Sequence, residues 1–480
     1  MPVHPIEDTV DLLVVGGGTA GLVGAHTAAA LGARTVLVEH GRTGGDCLWT
    51  GCVPSKALLA AASAAASARR ASSLGVDVGE VRVEFARVRA HVRAAITAVQ
   101  PKDSPEALEK AGVSVLTGSA VFTGPDTARI GERSVRFSAA LLATGADPAM
   151  PPIDGMETIE PLTSETLWDV EELPRRLVVL GGGPIGCELG QAFARLGSAV
   201  TVVDGSDRLL EPEDPDAAAL VAAALQRDGA QLRLGSQGVR IEPGVLHLDD
   251  GTALPFDRLL VAVGRRPRTT GLGLDAAGVD LDDDGSVTLD AALRTTNRRI
   301  WAAGDVTGPP FFTHTAGMHG SVAASNAVLG LARRIDPVVP RVTFTSPEVA
   351  SVGLSPAEAA GSGCTVRRVE HAAVDRAVAE GETEGFTSLV LDRRHRVVGA
   401  VVVGPRAGET LGELTLAVRQ RLTAGDLAGT THAYPTYDDA IVDAALDDVR
   451  ARLANPLVRG ALRAAVWVRG RLRGGQRSER

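Results

Sequence analysis

In "GGDCLWTGCVPSKAL", Gly44 to Leu58, two cysteines, Cys47 and Cys52, stand five positions apart in a chain of 480 residues that has only four. Lys56 follows Cys52 by four positions. Three kinds of chemistry fit such a pair: a structural disulfide, a metal clip, or a redox couple that passes electrons onward. A tetrahedral metal site needs third and fourth ligands. Cys187 and Cys364 fall far off, in a helix-like and a loop-like segment, and no histidine cluster accompanies the pair. No metal is expected. Four cysteines in so long a chain make no disulfide scaffold, yet the spacing leaves an inert bridge standing beside the redox couple. In a helix, Lys56 would lie one turn past Cys52 on the same side, where a cation stabilises a thiolate.

The elements that must position this pair come as two copies of one unit. "DLLVVGGGTAGLVGAHTAAALGARTVLVEH" begins at Asp11 and "RLVVLGGGPIGCELGQAFARLGSAVTVVDG" at Arg176. Each runs from an apolar stretch through G-x-G-x-x-G and an Ala-rich helical pattern to a second apolar stretch ending in an acid. The glycines are Gly16, Gly18, Gly21 and Gly181, Gly183, Gly186; the acids are Glu39 and Asp204, 23 residues after the first glycine in both. Such glycines allow a tight turn and close backbone approach. The helix N-terminus then faces a pyrophosphate, and the acid holds ribose hydroxyls. Two dinucleotides are expected. The cysteine pair follows the first copy, and a flavin exchanges electrons with a dithiol while nicotinamide passes hydride to the flavin. FAD is therefore assigned to the first copy and NAD(P)H to the second. Only Arg208 follows Asp204 closely, with no basic cluster for a 2′-phosphate, so NADH is favoured.

The bulk composition agrees with a soluble enzyme. Hydrophobic residues make up 45% and aromatics 3%, so the core must be built largely from Ala, Val and Leu. A net charge of -9 argues against nucleic-acid binding. The opening "MPVHPIEDTV" has neither the basic region nor the apolar stretch of a signal peptide, which predicts a cytoplasmic address.

With "LLATGADP" (141–148), "VAVGRRP" (261–267), "IWAAGDV" (300–306), "FTSPEVASVGL" (344–354) and "HAYPTYDDA" (432–440) in order, the chain resembles the pyridine nucleotide-disulfide oxidoreductases. These are the class I enzymes of the dihydrolipoamide dehydrogenase, glutathione reductase and mercuric reductase type. The resemblance implies an α/β fold: two Rossmann-like dinucleotide-binding domains, for FAD and NAD(P), plus a C-terminal α+β dimerisation domain. It places an FAD-binding domain with a redox disulfide at 1–150 and an NAD(P)-binding domain at 151–270. Residues 271–337 would complete the FAD domain, 338–450 form the dimerisation domain of a homodimer, and 451–480 remain as a basic tail. It further implies a Cys47–Cys52 disulfide in which Cys52 faces the flavin and Cys47 meets the substrate. Lys56 would approach the flavin and pair with Glu188. Asp305 would bind the ribityl chain, with Thr313 near the flavin, Ala120 and Gly145 lining the FAD site, and Gly264 against the nicotinamide nucleotide.

The chain also departs from that pattern. Most disulfide reductases of the family carry H-P-T-x-S-E near the C-terminus, whose His is the acid/base for the departing thiol and is oriented by the Glu. Here Tyr434 stands in place of the His and Asp439 in place of the Glu. A phenol with an ordinary pKa near 10 donates a proton but is a poor base. His432 lies two residues away, on the opposite side of an extended segment. Mercuric reductases add a C-terminal cysteine pair, and no cysteine follows Cys364. Asp46 replaces a common Thr and makes the surroundings of the couple less electropositive; Pro184 replaces a nicotinamide-gating Tyr of glutathione reductases. The tail at 451–480 has eight arginines against one acid, Glu479. At helical spacing Arg452, Arg459, Arg463, Arg469 and Arg473 share one face; Leu457, Ala461, Val468 and Leu472 share the other, the pattern of a peripheral membrane helix. The resulting expectation is an NAD(P)H-dependent flavoprotein that reduces a small disulfide or dithiol couple. The alternative is a quinone-type or mercuric-reductase-like enzyme acting on a non-disulfide acceptor.

Overall fold

The computed structural model describes residues 9–475, with side chains described as far as residue 471. It divides into two compact units, one of residues 1–207 and 225–337 and one of residues 208–224 and 338–480.

In the first unit, β1 (Thr9–Val15), α1 (Thr19–Ala30) and β2 (Thr35–Glu39) form the first repeat copy. α2 (Gly45–Trp49) and α3 (Cys52–Arg70) carry the cysteines. With β3 (Val113–Thr117) and β4 (Arg133–Leu142) the sheet runs β3-β2-β1-β4 in parallel, and a short β5 (Ala146–Pro148) follows. An antiparallel hairpin, Ala120–Gly124 and Thr127–Ile130, extends beyond β4. The second copy is β6 (Arg176–Leu180), α4 (Pro184–Leu196) and β7 (Ala199–Asp204). Its parallel sheet has the order β8-β7-β6-β9, with β8 at Gln231–Leu234 and β9 at Arg258–Val261. β10 (Arg265–Pro267) then pairs antiparallel with β5. β11 (Ile300–Ala302) returns to lie parallel beside β4, and α5 (Thr313–Leu329) packs against α1.

Central strands of a parallel sheet are covered on both faces and so read as unbroken apolar runs rather than alternating ones. Leu12, Leu13 and Val14 in β1, and Leu177, Val178 and Val179 in β6, are accordingly buried. Ala and Gly on α1 and α5 let those helices approach closely: a Cβ on Gly320 would lie 2.2 Å from the Ala20 carbonyl.

In the second unit an antiparallel sheet has the order β12-β13-β16-β15-β14. These strands are β12 (Arg341–Thr343), β13 (Glu348–Gly353), β14 (Thr365–Glu370), β15 (Phe386–Leu391) and β16 (Val397–Gly404). It is covered by α6 (Ala407–Gln420) and α7 (Asp439–Ala454), which bury Leu411, Leu414, Ile441 and Ala445 in one core with Ala400 and Leu389. α8 (Pro456–Gly475) follows α7. The α/β class with two dinucleotide folds and a mixed C-terminal unit is thus the architecture. The side chains of Leu472 and Arg473, and residues 476–480, lie outside the described part of the predicted tail helix.

Candidate active site

The two glycine turns are near copies. Gly16 and Gly181 both sit at φ +107°, a conformation closed to most side chains. A Cβ there would lie 2.3 Å from the Ala143 carbonyl oxygen in one copy and 2.4 Å from that of Ala262 in the other. A Cβ on Gly21 or Gly186 would meet the carbonyl of Gly16 or Gly181 at 1.9 Å in each. Gly18 and Gly183 are the residues before α1 and α4, so the free N–H groups of each helix start beside them. The acids close both turns: Glu39 accepts the Gly17 N–H at 2.6 Å and Asp204 the Gly182 N–H at 2.5 Å. Gly264, at φ +128°, faces open space.

A cavity of about 800 Å³ opens beside the first turn. It runs from Gly16, Gly18 and Glu39 past Ala120, Gly145 and Asp305 to Cys47 and Thr313. Its size, the glycines that line it and the acid at one end fit an extended dinucleotide with its reactive end near the cysteines.

At that end Cys52 is the first residue of α3, where the helix dipole favours an anion. Its Sγ lies 3.1 Å from the hydroxyl of Thr313, the first residue of α5. Cys47 and Cys52 are both half-buried, with free Sγ atoms in this structure. They titrate in opposite directions. The hydrogen bond from Cys47, then the Thr313 hydroxyl and the Lys56 charge, overcome burial and bring the Cys52 thiol down to about 6. Cys47 is pushed up, first by that same bond and then by burial, with the hydroxyls of Thr313 and Thr19 working the other way. Lys56 Nζ donates to Glu188 Oε2 at 2.8 Å, joining α3 to α4; Lys56 is not among the residues lining the cavity. Cys187 is buried, bonds to the Gly182 carbonyl at 3.2 Å, and has its thiol pushed up chiefly by burial.

Several participants were not legible in the sequence. Thr19 lies inside the first glycine motif, yet its side chain bonds to Cys47. The Trp168 indole donates to the Thr50 carbonyl at 2.9 Å, pinning the loop between the cysteines from a segment 118 residues away. Arg265 binds Asp46, and Arg268 binds Asp147 and Glu165 at 2.5 and 2.6 Å.

In the second unit Tyr434 is 72% exposed and donates to Asp375 at 2.6 Å, a bond that raises its pKa further. Asp439 accepts the Thr436 N–H at 3.2 Å at the start of α7. The Tyr–acid partnership suggested by the family pattern is therefore made with Asp375. His432 Nε2 lies 2.9 Å from Glu413 and its Nδ1 3.0 Å from the Thr430 carbonyl. Burial would lower its pKa, but Glu413 and the carbonyl raise it. Both of its nitrogens are thus engaged by acceptors within the second unit.

A glycine-lined cavity with Cys47 at its end, Cys52 opening the next helix beside it and a second dinucleotide turn define a nucleotide-dependent dithiol oxidoreductase. Residues 10–320 match the pyridine nucleotide-disulphide oxidoreductase family and residues 339–445 match that family's dimerisation domain. The chain belongs to this family of FAD- and NAD(P)H-dependent flavoprotein oxidoreductases, and its dimerisation domain supports a homodimer. It is 36% identical over 442 residues to a mercuric reductase of Bacillus cereus, covering 90% of this chain and 70% of that one. It is 34% identical over 467 residues to a dihydrolipoyl dehydrogenase of Chlamydia muridarum, covering 95% and 100%. Among solved structures it is similar to LpdA from Mycobacterium tuberculosis, with TM-score 0.84, 28% identity and coverage of 91% and 99%. It is also similar to a copper(II) complex of the HOCl-induced flavoprotein disulfide reductase RclA from Escherichia coli, with TM-score 0.82, 27% identity and the same coverage.

Proposed function

We propose that the chain uses NADH to reduce a small acceptor through Cys47 and Cys52, with a small disulfide as the acceptor class. The supporting observation is the placement of the pair: Cys47 lines the end of the FAD-sized cavity, and Cys52 opens α3 beside it with its Sγ 3.1 Å from the Thr313 hydroxyl. FAD, held by the Gly16–Gly21 turn, Glu39, Ala120, Gly145 and Asp305, supplies two-electron exchange between the nicotinamide and the cysteine pair. Gly181, Gly183, Gly186, Asp204 and Gly264 hold the nicotinamide nucleotide. In this reading residues 1–150 and 271–337 make the FAD domain, 151–270 the NAD(P)H domain and 338–450 the dimerisation domain.

The cysteines divide the work. Cys52 is kept as thiolate by the helix start, Thr313 and Lys56, whose charge Glu188 steadies. Cys47 passes its proton along their shared hydrogen bond to the Cys52 thiolate, attacks the acceptor disulfide as the thiolate, breaks its S–S bond and releases one thiolate. Cys52 then attacks Cys47, re-forming the Cys47–Cys52 bridge and releasing the second thiol. The leaving thiolates need protons. In the homodimer that the family pattern implies, Tyr434, held by Asp375 and protonated well beyond neutrality, takes the histidine's place as donor to the other subunit's thiols, with Asp439 fixing its loop. A donor that does not reclaim a proton near neutral pH makes bulky disulfides slow substrates.

The second reading, a quinone-type or mercuric-reductase-like acceptor, draws on the same tyrosine, since such an acceptor needs no thiol protonated on departure. An acceptor panel separates the two: with Cys47→Ser, turnover of a small disulfide should vanish, whereas quinone turnover retained in full would favour the second. Among the described residues no helix is long and apolar enough to cross a membrane. α8 does expose Leu457, Val466 and Trp467 alongside Arg459 and Arg463, which supports peripheral contact with an anionic membrane. Deleting residues 456–480 should release the protein from anionic liposomes, and unchanged partitioning would end that idea.

A further inference from the structure

Asp46 lies on α2 immediately before Cys47, and its carboxylate faces the cavity. It accepts from the guanidinium of Arg265 and lies 3.9 Å from Arg268 Nη1. Arg265, whose side chain is only 12% exposed, also donates to the Ala146 carbonyl at 2.5 Å. Its Nε sits 3.4 Å from Asp305 without hydrogen-bond geometry. Arg268 is held by Asp147 on β5 and by Glu165.

The ion-pair cluster on this wall of the cavity thus comprises four carboxylates, Asp46, Asp147, Glu165 and Asp305, and two guanidiniums, Arg265 and Arg268, while Arg266 on β10 is exposed and stands outside it. Within that cluster two negative charges are left over, and its four acids line the space that FAD's own doubly negative diphosphate must enter, where Arg42 is a further cation. Burial raises Asp305, with the Asp46 charge adding to it against Arg265. Burial likewise raises Glu165, with Asp46 and Asp147 adding against Arg268 and Arg265.

We propose that Asp46 is an electrostatic determinant of flavin affinity: it occupies Arg265 and presents a carboxylate to the cavity, and so loosens the hold on the diphosphate-bearing cofactor. This rests on FAD lying in that cavity. Removing the Asp46 charge removes a repulsion and frees a guanidinium; both tighten binding. An ion pair that served only to brace the wall would give the opposite sign, because breaking it would loosen the site.

The test is the rate of FAD release from the purified holoprotein on dilution, read as the rise in free-flavin fluorescence. Asp46→Asn and Asp46→Thr should each slow release by roughly tenfold at low ionic strength, and the gain should shrink as salt screens the charges. Arg265→Met should speed release about 30-fold in the parent and distinctly less when combined with Asp46→Asn, because the charge it balanced is then gone. Release from the parent should slow as pH falls and Asp305 and Glu165, both held above the ordinary carboxyl range, take up protons, and Asp46→Asn should move that slowing to lower pH because its charge adds to both shifts. Equal or faster release from Asp46→Asn, or additive effects in the double variant, would overturn the proposal. A parent that retains no FAD would overturn the cofactor reading along with it.

Discussion

The two glycine units differ less in their own geometry than in the segments the chain builds after them. Both turns share φ, clash distances and acid-to-amide bonds, because a chain that brings backbone against a pyrophosphate has few solutions. Beyond the turn they diverge. The first copy leads into Gly44–Cys52, which folds two cysteines and two helix starts onto the end of a cavity. The second keeps its cysteine, Cys187, inside α4, and its helix instead offers Glu188 to Lys56. On the proposed function, the same nucleotide-binding unit serves as a reaction centre in one copy and a delivery site in the other.

Substitution of the matched glycines should break that symmetry most visibly. Gly21→Ala and Gly186→Ala each drive a methyl into a carbonyl at the same 1.9 Å. Gly21→Ala should cost the yellow cofactor, whereas Gly186→Ala should keep it and lose about 10²-fold in kcat/KM for NADH. Identical losses in both would contradict the division of roles. Next in size is the contrast between cysteines. Cys52→Ser should reduce disulfide turnover by at least about 10²-fold, while Cys187→Ala should leave turnover intact and cost about 1–2 kcal/mol in unfolding free energy as a small buried group is trimmed.

A subtler effect concerns protonation. Cys52 is held below its ordinary value, so its thiolate persists above about pH 6 and is lost as pH falls through that point. Lys56→Met should raise the midpoint of thiol alkylation at Cys52 by up to about one unit, with kcat/KM for NADH less affected. An unmoved midpoint would show that the lysine does not act on the thiolate. The smallest expected change is at the paired acids: Asp204→Ala should erode the NADH preference over NADPH by about tenfold (roughly 1.4 kcal/mol), and Glu39→Ala should leave it alone.

Local spacing made the first half of this picture legible. The glycines, the acids 23 residues on, the cysteine pair and Lys56 are each fixed by a turn or a helix repeat. The fold followed, because one repeat seen twice fixes two parallel sheets. Contacts made across long stretches of chain were not legible. Trp168 reaches Thr50, Arg265 reaches Asp46 and Asp375 reaches Tyr434 only after the sheets have formed, and nothing in their local sequence marks them. Alignment of Asp439 with the family's glutamate gave a position but not a partner, since a tyrosine's longer side chain carries its hydroxyl to Asp375 instead.

Anaerobic titration of the holoprotein with NADH, counting free thiols and following flavin absorbance at each addition, tests most directly that the first unit's cysteines are the electron outlet. The first equivalent should produce two new thiols per chain while the flavin stays oxidised, with long-wavelength absorption from the Cys52 thiolate beside it; Cys52→Ser should lack both. Bleaching of the flavin by the first equivalent, with no new thiols, would contradict the account.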